Sequence, residues 1–499
     1  MSEASRIGVE RLVGFDAVGE TFMADGRVLR GIYSGHGATY RRILEVSEAA
    51  GVFDFGIVGT RALPQNPYSD LSYDLVLEHD RVPFVSYPHE WPAPMLKAAA
   101  LFHLRLFEDL ASAGLTLKDW HPYNILFDGV QPVFVDFTSL IMQDRLRDEP
   151  YLNEGPSLRA EKKWDTDATY IYAMYRRMYV PYFLMPLYMM AQGRHAEARV
   201  RMFDTTLNVG DSTLTPGEVF AGRPMARVKY SLLERRKRAS LTEAGLPKRS
   251  FFALLRAELE ALDVGQRESG YSSYYSAKNE LAAYEPSDSW SAKQRAVYDT
   301  LCEFRPATVL DIGSNTGWFS ILATRQGASV VALDIDEASV DILYSQARAD
   351  RLPILPLVLN IAGARPDVAA RKYEDEPSRS LIGGDAPLLR STSSRLACDT
   401  VLALALVHHL ALGRGMSVDA IAVMLSSYAK SNLVVEFVAI NDPLIVAEPS
   451  FFEAYSANPA GFDGYTLDAF TAALGRFFSR IELRASNPES RTLLLCSNG

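Results

Sequence analysis

The run Val309-Leu310-Asp311-Ile312-Gly313-Ser314-Asn315-Thr316-Gly317-Trp318-Phe319-Ser320 decides the fold of this chain. An apolar strand runs into a glycine-containing loop that opens a helix. Asp334 ends the next apolar run, Ser329 to Leu333, 21 residues after Gly313. This is a nucleotide-binding βαβ arrangement: glycine lets backbone approach a ligand closely, and a carboxylate at the second strand end accepts hydrogen bonds from ribose hydroxyls.

A dinucleotide fingerprint would need G-x-G-x-x-G to cradle a pyrophosphate. Here Asn315 takes the second glycine position and Trp318 the third, and their bulk argues against a pyrophosphate. S-adenosylmethionine has none and tolerates a wider loop in which Asp311 faces its ammonium group. The cofactor-binding candidates are therefore Asp311, Gly313, Asn315, Gly317, Asp334 and its neighbour Ile335, with Asn360 at the end of a third apolar run. Asn360 can either bind an adenine amino group or cap a turn.

Further short β-branched runs follow at Leu355 to Leu359, Thr400 to Leu406 and Leu433 to Val438, separated by helical patterns. Such alternation predicts an α/β domain with a parallel, doubly wound sheet. Arg480 to Arg484 and Arg491 to Cys496 flank an Asn-Pro-Glu-Ser turn and read as an antiparallel hairpin. His408 and His409 follow the fourth strand, beside the crevice where ligands of such sheets bind. Either can be a general base or structural, and adjacent residues are not expected to share a direction. Glu436 interrupts an apolar strand, so it faces the site or is paired in the core. The candidate catalytic residues are thus His408, His409 and Glu436.

Upstream, short strand-like runs (Glu20 to Met23, Arg27 to Tyr33, Leu75 to Glu78) give way to helical spacing over Pro94 to Ala113. Lys118-Asp119-Trp120-His121-Pro122-Tyr123-Asn124 is followed by Val135-Asp136-Phe137. In phosphoryl transfer an aspartate positions the acceptor hydroxyl, an asparagine five residues later holds one metal ion and a further aspartate holds another. Asp119, Asn124 and Asp136 fit those roles, with magnesium expected at Asn124 and Asp136. No glycine-rich loop precedes Arg27, and Arg30 stands where the phosphate-gripping lysine is expected. An arginine fork does not replace a point-charge ammonium freely.

Length sets the number of parts: 499 residues exceed one ordinary core. The division expected is 1–225, a helical connector over 226–289 that holds Arg235-Arg236-Lys237-Arg238 and the aromatic cluster Tyr271 to Tyr275, and 290–499. Apolar residues at 48% and charged residues at 22% describe an ordinary globular chain. A net charge of −10 disfavours a nucleic-acid partner, and the basic run reads as a solvated helix face. Thr169 to Met190, though apolar, is broken by arginines and prolines and reads as buried helices rather than a membrane span. Three dispersed cysteines lack metal or redox spacing, and the start lacks a secretory pattern, so a cytoplasmic location is expected.

Residues 290–499 resemble the class I S-adenosylmethionine-dependent methyltransferases. The runs LDIGSNTGWFS, VVALDIDEASV, LALALVHHL and VVEFV resemble the NoeA-type, nodulation-related branch. The resemblance implies a Rossmann-like seven-stranded sheet with S-adenosylmethionine at Asp311, Gly313, Gly317 and Asp334; Asn360 departs from the usual aspartate. Residues 11–225 resemble the α+β kinase-like fold of aminoglycoside and choline kinases, which implies ATP and magnesium if the site is active and a scaffold if it is not. The expected reaction is methyl transfer to a small-molecule or glycan-like acceptor, with a bifunctional kinase/methyltransferase as the alternative.

Overall fold

The computed structural model describes residues 9–12, 16–66, 72–148, 165–207, 214–265, 269, 284–363 and 390–498. The Tyr271 to Tyr275 cluster lies outside them.

Five strands form the first sheet: β1 (Val9–Leu12), β2 (Gly19–Ala24), β3 (Arg27–Ile32), β4 (Thr60–Ala62) and β5 (Leu75–His79). They run antiparallel in the order β1-β2-β3-β5-β4. Helix Ala93–Ser112 follows, with a proline in its first turn and Gly114 just beyond its end at φ +75°. Its Met95, Leu96, Ala99, Leu106 and Leu110 are wholly buried. Two short pairs then complete this part: β6 (Leu115–Leu117) with β9 (Leu140–Met142), and β7 (Ile125–Asp128) with β8 (Gln131–Phe134).

The apolar stretch beyond residue 165 is helical and buried, as its sequence suggests. Thr166–Met174 passes through a π-helical segment, Tyr175–Leu184, into Met185–Met190. Helices Pro224–Ser240 and Arg249–Glu260 pack against the first part. Phe252 stacks on Phe107 at 4.8 Å, and the buried Lys237 ammonium binds Glu258 at 2.6 Å and also pairs with Glu234 and Tyr175. The apolar faces of these helices have their partners on the helical side of that part.

The second sheet has seven strands: β10 (Thr308–Ile312), β11 (Ser329–Asp334), β12 (Ile354–Val358), β13 (Cys398–Ala403), β14 (Ala429–Val438), β15 (Arg480–Ala485) and β16 (Arg491–Ser497). Their order is β12-β11-β10-β13-β14-β16-β15, with β10 to β14 parallel and the β15–β16 hairpin antiparallel. The order reverses between β10 and β13, which puts a crevice at the carboxyl ends of those strands. Among the described residues no helix is long and apolar enough to cross a membrane.

One continuous hydrophobic cluster runs through both parts, and one buried and one partly buried ion pair cross between them. Arg395 binds both oxygens of Glu90, one at 2.9 Å, donates to the Val85 carbonyl at 2.7 Å and lies 4.4 Å from the Tyr87 ring centre. Arg199 clasps Glu337 at 2.6 and 3.0 Å and donates to the His89 and Trp91 carbonyls at 2.8 and 2.7 Å. Segment 85–91 is thereby the shared footing of the two parts.

Both side chains of the Arg395–Glu90 pair are 2% exposed, so removing either strands a buried charge. Glu90→Ala is expected to destabilise the chain by roughly 3–5 kcal/mol. Glu90→Leu with Arg395→Met should recover most of that loss. Denaturant unfolding of the single and double variants checks it, and additive losses would mean that the pair carries no coupling.

Candidate cofactor site

The glycine loop sits at the crevice. Gly313 and Ser314 donate their amides to the Leu333 carbonyl at 2.8 and 3.0 Å, which folds the loop back over β11. Gly313, Asn315 and Gly317 all have left-handed φ, at +75°, +50° and +84°. At Gly317 a Cβ would stand 2.3 Å from Leu343, so glycine is needed there for helix packing as well as for φ. At Gly313 a Cβ would meet only Leu406, at 3.7 Å, so that face of the loop is open. The Ser314 hydroxyl is buried with no hydrogen-bond partner.

Asp334 braces the loop: its carboxylate accepts from the Asn315 amide at 2.8 Å and the Asp336 amide at 2.9 Å. Burial raises its pKa. Asp311, 3% exposed, accepts from Ser320 Oγ at 2.6 Å. Burial pushes its carboxyl up to about 6, with Asp334 adding to the rise. Ile335 is 59% exposed beside them. Asn360 is committed elsewhere: its Oδ1 accepts from the amides of Ala362 and Gly363 at 3.1 and 3.2 Å, which is the turn-capping role.

The two histidines behave contrary to expectation. Their ring centroids are 4.1 Å apart, and both pack on Phe452, at 5.7 and 5.6 Å. Regular strand or helix geometry would separate adjacent side chains. Here the α-helical turn at His408, three residues after Ala405 at φ +51°, widens into a π-helical one at His409, and the two rings lie side by side. Burial lowers the pKa of His408 to about 2 and of His409 to about 4, and His409 is the more accessible of the two.

Glu436 does not open onto the crevice. Fully buried, it binds Lys293 at 2.8 Å, accepts from the Ala405 amide at 2.9 Å and takes the Ser486 hydroxyl. It therefore holds the strained backbone that precedes the histidines. The role of Lys293 is not apparent from sequence, because it comes 143 residues before Glu436 with no shared motif. The segment that seats Phe452 also lines a cleft of about 580 Å³ with Ile440, Ile445, Val446 and Tyr455.

The second candidate cluster is filled from within. Asn124 Nδ2 reaches Asp136 at 3.3 Å, and the charge of Asp136 acts on Asp119. Burial raises the pKa of Asp119. Burial works against ionised Asp136 as well, but Arg30 and Thr138 outweigh it and hold the carboxyl below its usual range. Arg30 Nη1 lies 2.9 Å from Asp136 and 2.8 Å from Asp16, a residue of the β1–β2 turn. Lys118 lies 3.7 Å from Asp16. Among the described residues no group of three or more His, Cys, Asp or Glu could hold a metal ion. The Arg30 guanidinium already sits on one oxygen of the Asp136 carboxylate, where a metal ion would compete with it.

No family model matches the chain. It is 26% identical over 426 residues to nodulation protein NoeA of Rhizobium meliloti (strain 1021), a match covering 80% of this chain and 77% of that one. The chain is thus NoeA-like along most of its length. Among solved structures it is similar to the bifunctional kinase-methyltransferase WbdD, at 16% identity and TM-score 0.27, covering 41% of this chain and 38% of that one. It is similar too to magnesium protoporphyrin IX methyltransferase from Synechocystis PCC 6803 with bound SAH, at 17% identity and TM-score 0.27, covering 41% and 81%. The chain therefore spans about two-fifths of WbdD, and likenesses this partial carry no functional argument.

Asp311 gives a pH test. Between pH 3.8 and about 6 the folded chain keeps a proton that the unfolded chain has lost, so stability falls as pH rises through that window. The loss is on the order of 2–3 kcal/mol once complete. Asp311→Asn removes it, so wild type and variant should unfold alike near pH 4 while the variant gains above pH 6. Denaturant titrations at both pH values check this, and an offset independent of pH would refute it.

Proposed function

We propose that the chain is an S-adenosylmethionine-dependent methyltransferase acting on a small-molecule or glycan-like acceptor. The observation that carries this is the open glycine loop, braced on Asp334 and underlain by Asp311, at the strand-order reversal. The donor set fits this cofactor. Asp334 would hold the ribose hydroxyls, Asp311 the ammonium, and the exposed Ile335 one face of the adenine. The orphaned Ser314 hydroxyl offers one more hydrogen bond. When bound, the cofactor supplies a methyl group already activated on a sulfonium.

The chain's own task is then alignment and proton removal. His409 is neutral at pH 7 and more accessible than His408, so it is the better-placed proton acceptor. Its depressed pKa makes it a weak one, suited to an acceptor that loses its proton as the new bond forms. Glu436 acts on the loop through Ala405 rather than on substrate. The cleft lined by Ile440 and Tyr455 is the acceptor space in this proposal.

For the first part, a scaffold or substrate-binding role is favoured over an active kinase. The Arg30 guanidinium already satisfies Asp136, and Asp16 brings a carboxylate to the same place. A triphosphate would have to displace both.

Isothermal titration should show binding of S-adenosylmethionine or its demethylated product, with Asp334→Ala weakening it by roughly 1.5–3 kcal/mol. A folded protein that gives no heat with either ligand would sink the proposal.

Millimolar MgATP should raise the melting temperature little, because stabilisation follows RT ln(1 + [L]/Kd). A thermal-shift titration of wild type and Asp136→Ala decides: a rise of several degrees that vanishes in the variant would establish the bifunctional alternative.

A further inference from the structure

Helix Pro224–Ser240 presents a surface that the proposed chemistry does not use. One face is fixed in the protein by Tyr230 and Lys237, both buried. On the opposite face Met225, Val228 and Leu232 are 69%, 51% and 53% exposed. Single exposed apolar residues are ordinary, but these share one stripe: at 100° per residue they fall within a sector of about 60°. Ala239 falls in the same sector and is exposed too.

The flanks of the stripe carry charge of one sign. Lys229 and Arg236 border it on one side and Arg235 on the other; Arg238 and Arg227 lie further round beyond Arg235, Arg238 over the Tyr172 ring, and all five are exposed. The helix has a single acid, Glu234, which is turned inward onto Lys237 and Tyr175. The basic run at 235–238 is therefore only partly a solvated face. Lys237 is core, and its neighbours frame an apolar strip. This concentration stands out in a chain of net charge −10.

An apolar strip with cationic side chains at both borders is the pattern of a helix lying in a lipid interface, with the strip among acyl chains and the bases among anionic headgroups. A nucleic acid would match the charge but leave Met225, Val228 and Leu232 in water. A wrapping protein that needs the whole helix is excluded, since the face with Tyr230 is packed. We infer that helix Pro224–Ser240 docks the protein on the surface of an anionic phospholipid bilayer. It lies on the membrane and does not span it, in agreement with the absence of a spanning helix among the described residues.

The test is co-sedimentation of the full chain with vesicles of neutral phosphatidylcholine, with or without about 30% phosphatidylserine, at low and physiological salt. Binding is expected to the anionic vesicles, about tenfold or more above the neutral ones, and to weaken with salt. Val228→Ser with Leu232→Ser, and separately Arg235→Gln with Arg236→Gln, should each lower it about tenfold with melting temperatures unchanged, since all four side chains are exposed. Failure of wild type to bind anionic vesicles at low salt overturns the inference, as does binding that both variants retain. Sedimentation velocity covers one other occupant: a dimer abolished by the Val228/Leu232 variant would assign the strip to a second copy. Nucleic acid is the remaining one: displacement from vesicles by duplex RNA, with affinity insensitive to the Val228/Leu232 change, would assign the charge to it.

Discussion

The carboxylate of Asp334 is the point on which the site is built. It ends β11, and its two oxygens take the amides of Asn315 and Asp336, tying the glycine loop to the next helix start. Asp336 caps that helix through Ser339, and Glu337, the following residue, reaches Arg199 in the first part. Arg199 in turn grips the carbonyls of His89 and Trp91. A line of short polar contacts thus joins the crevice to the footing shared by the two parts. Its links are charged groups hydrogen-bonded to backbone, except the Glu337–Arg199 ion pair, and both kinds are the stronger class of such contacts.

The first part shows the same chemistry turned inward. Asp136 and Asn124 lie close together, and Asp119 is near enough to feel the charge on Asp136. What differs is the cation: Arg30, on β3, is long enough to reach Asp136 across the fold, and Asp16 neutralises the remainder. The half-buried Arg30 guanidinium cannot shed its charge, so it is matched by fixed carboxylates. The pattern of ligand residues persists while its charge balance is met from within.

Most of the second sheet was legible because parallel strands buried on both faces write themselves as continuous apolar runs. The runs at 308–310, 329–333 and 433–438 and the closing hairpin all lie within strands of the structure. The glycine loop was legible for the same local reason. What could not be read depends on residues far apart in the chain. Lys293 meeting Glu436, Arg395 meeting Glu90 and Arg30 meeting Asp16 leave no periodic trace. The aromatic packing of Phe251 and Phe252 was likewise hidden, by the charged residues that share their helix. The paired histidines escaped because the π-helical turn that begins at His409 is not written in the spacing of its residues.

The two crossing ion pairs also bear on how such a chain can be rearranged. Glu337 belongs to the second part and Arg199 to the first, and Glu90 and Arg395 are divided the opposite way. Each part thus carries one acid and one base meant for the other. A recombinant hybrid that exchanged either half for an unrelated domain would strand both signs of charge at a dry boundary. The halves are therefore tied to a common inheritance: a substitution at one of these four positions is tolerable only alongside a matching change in the other half.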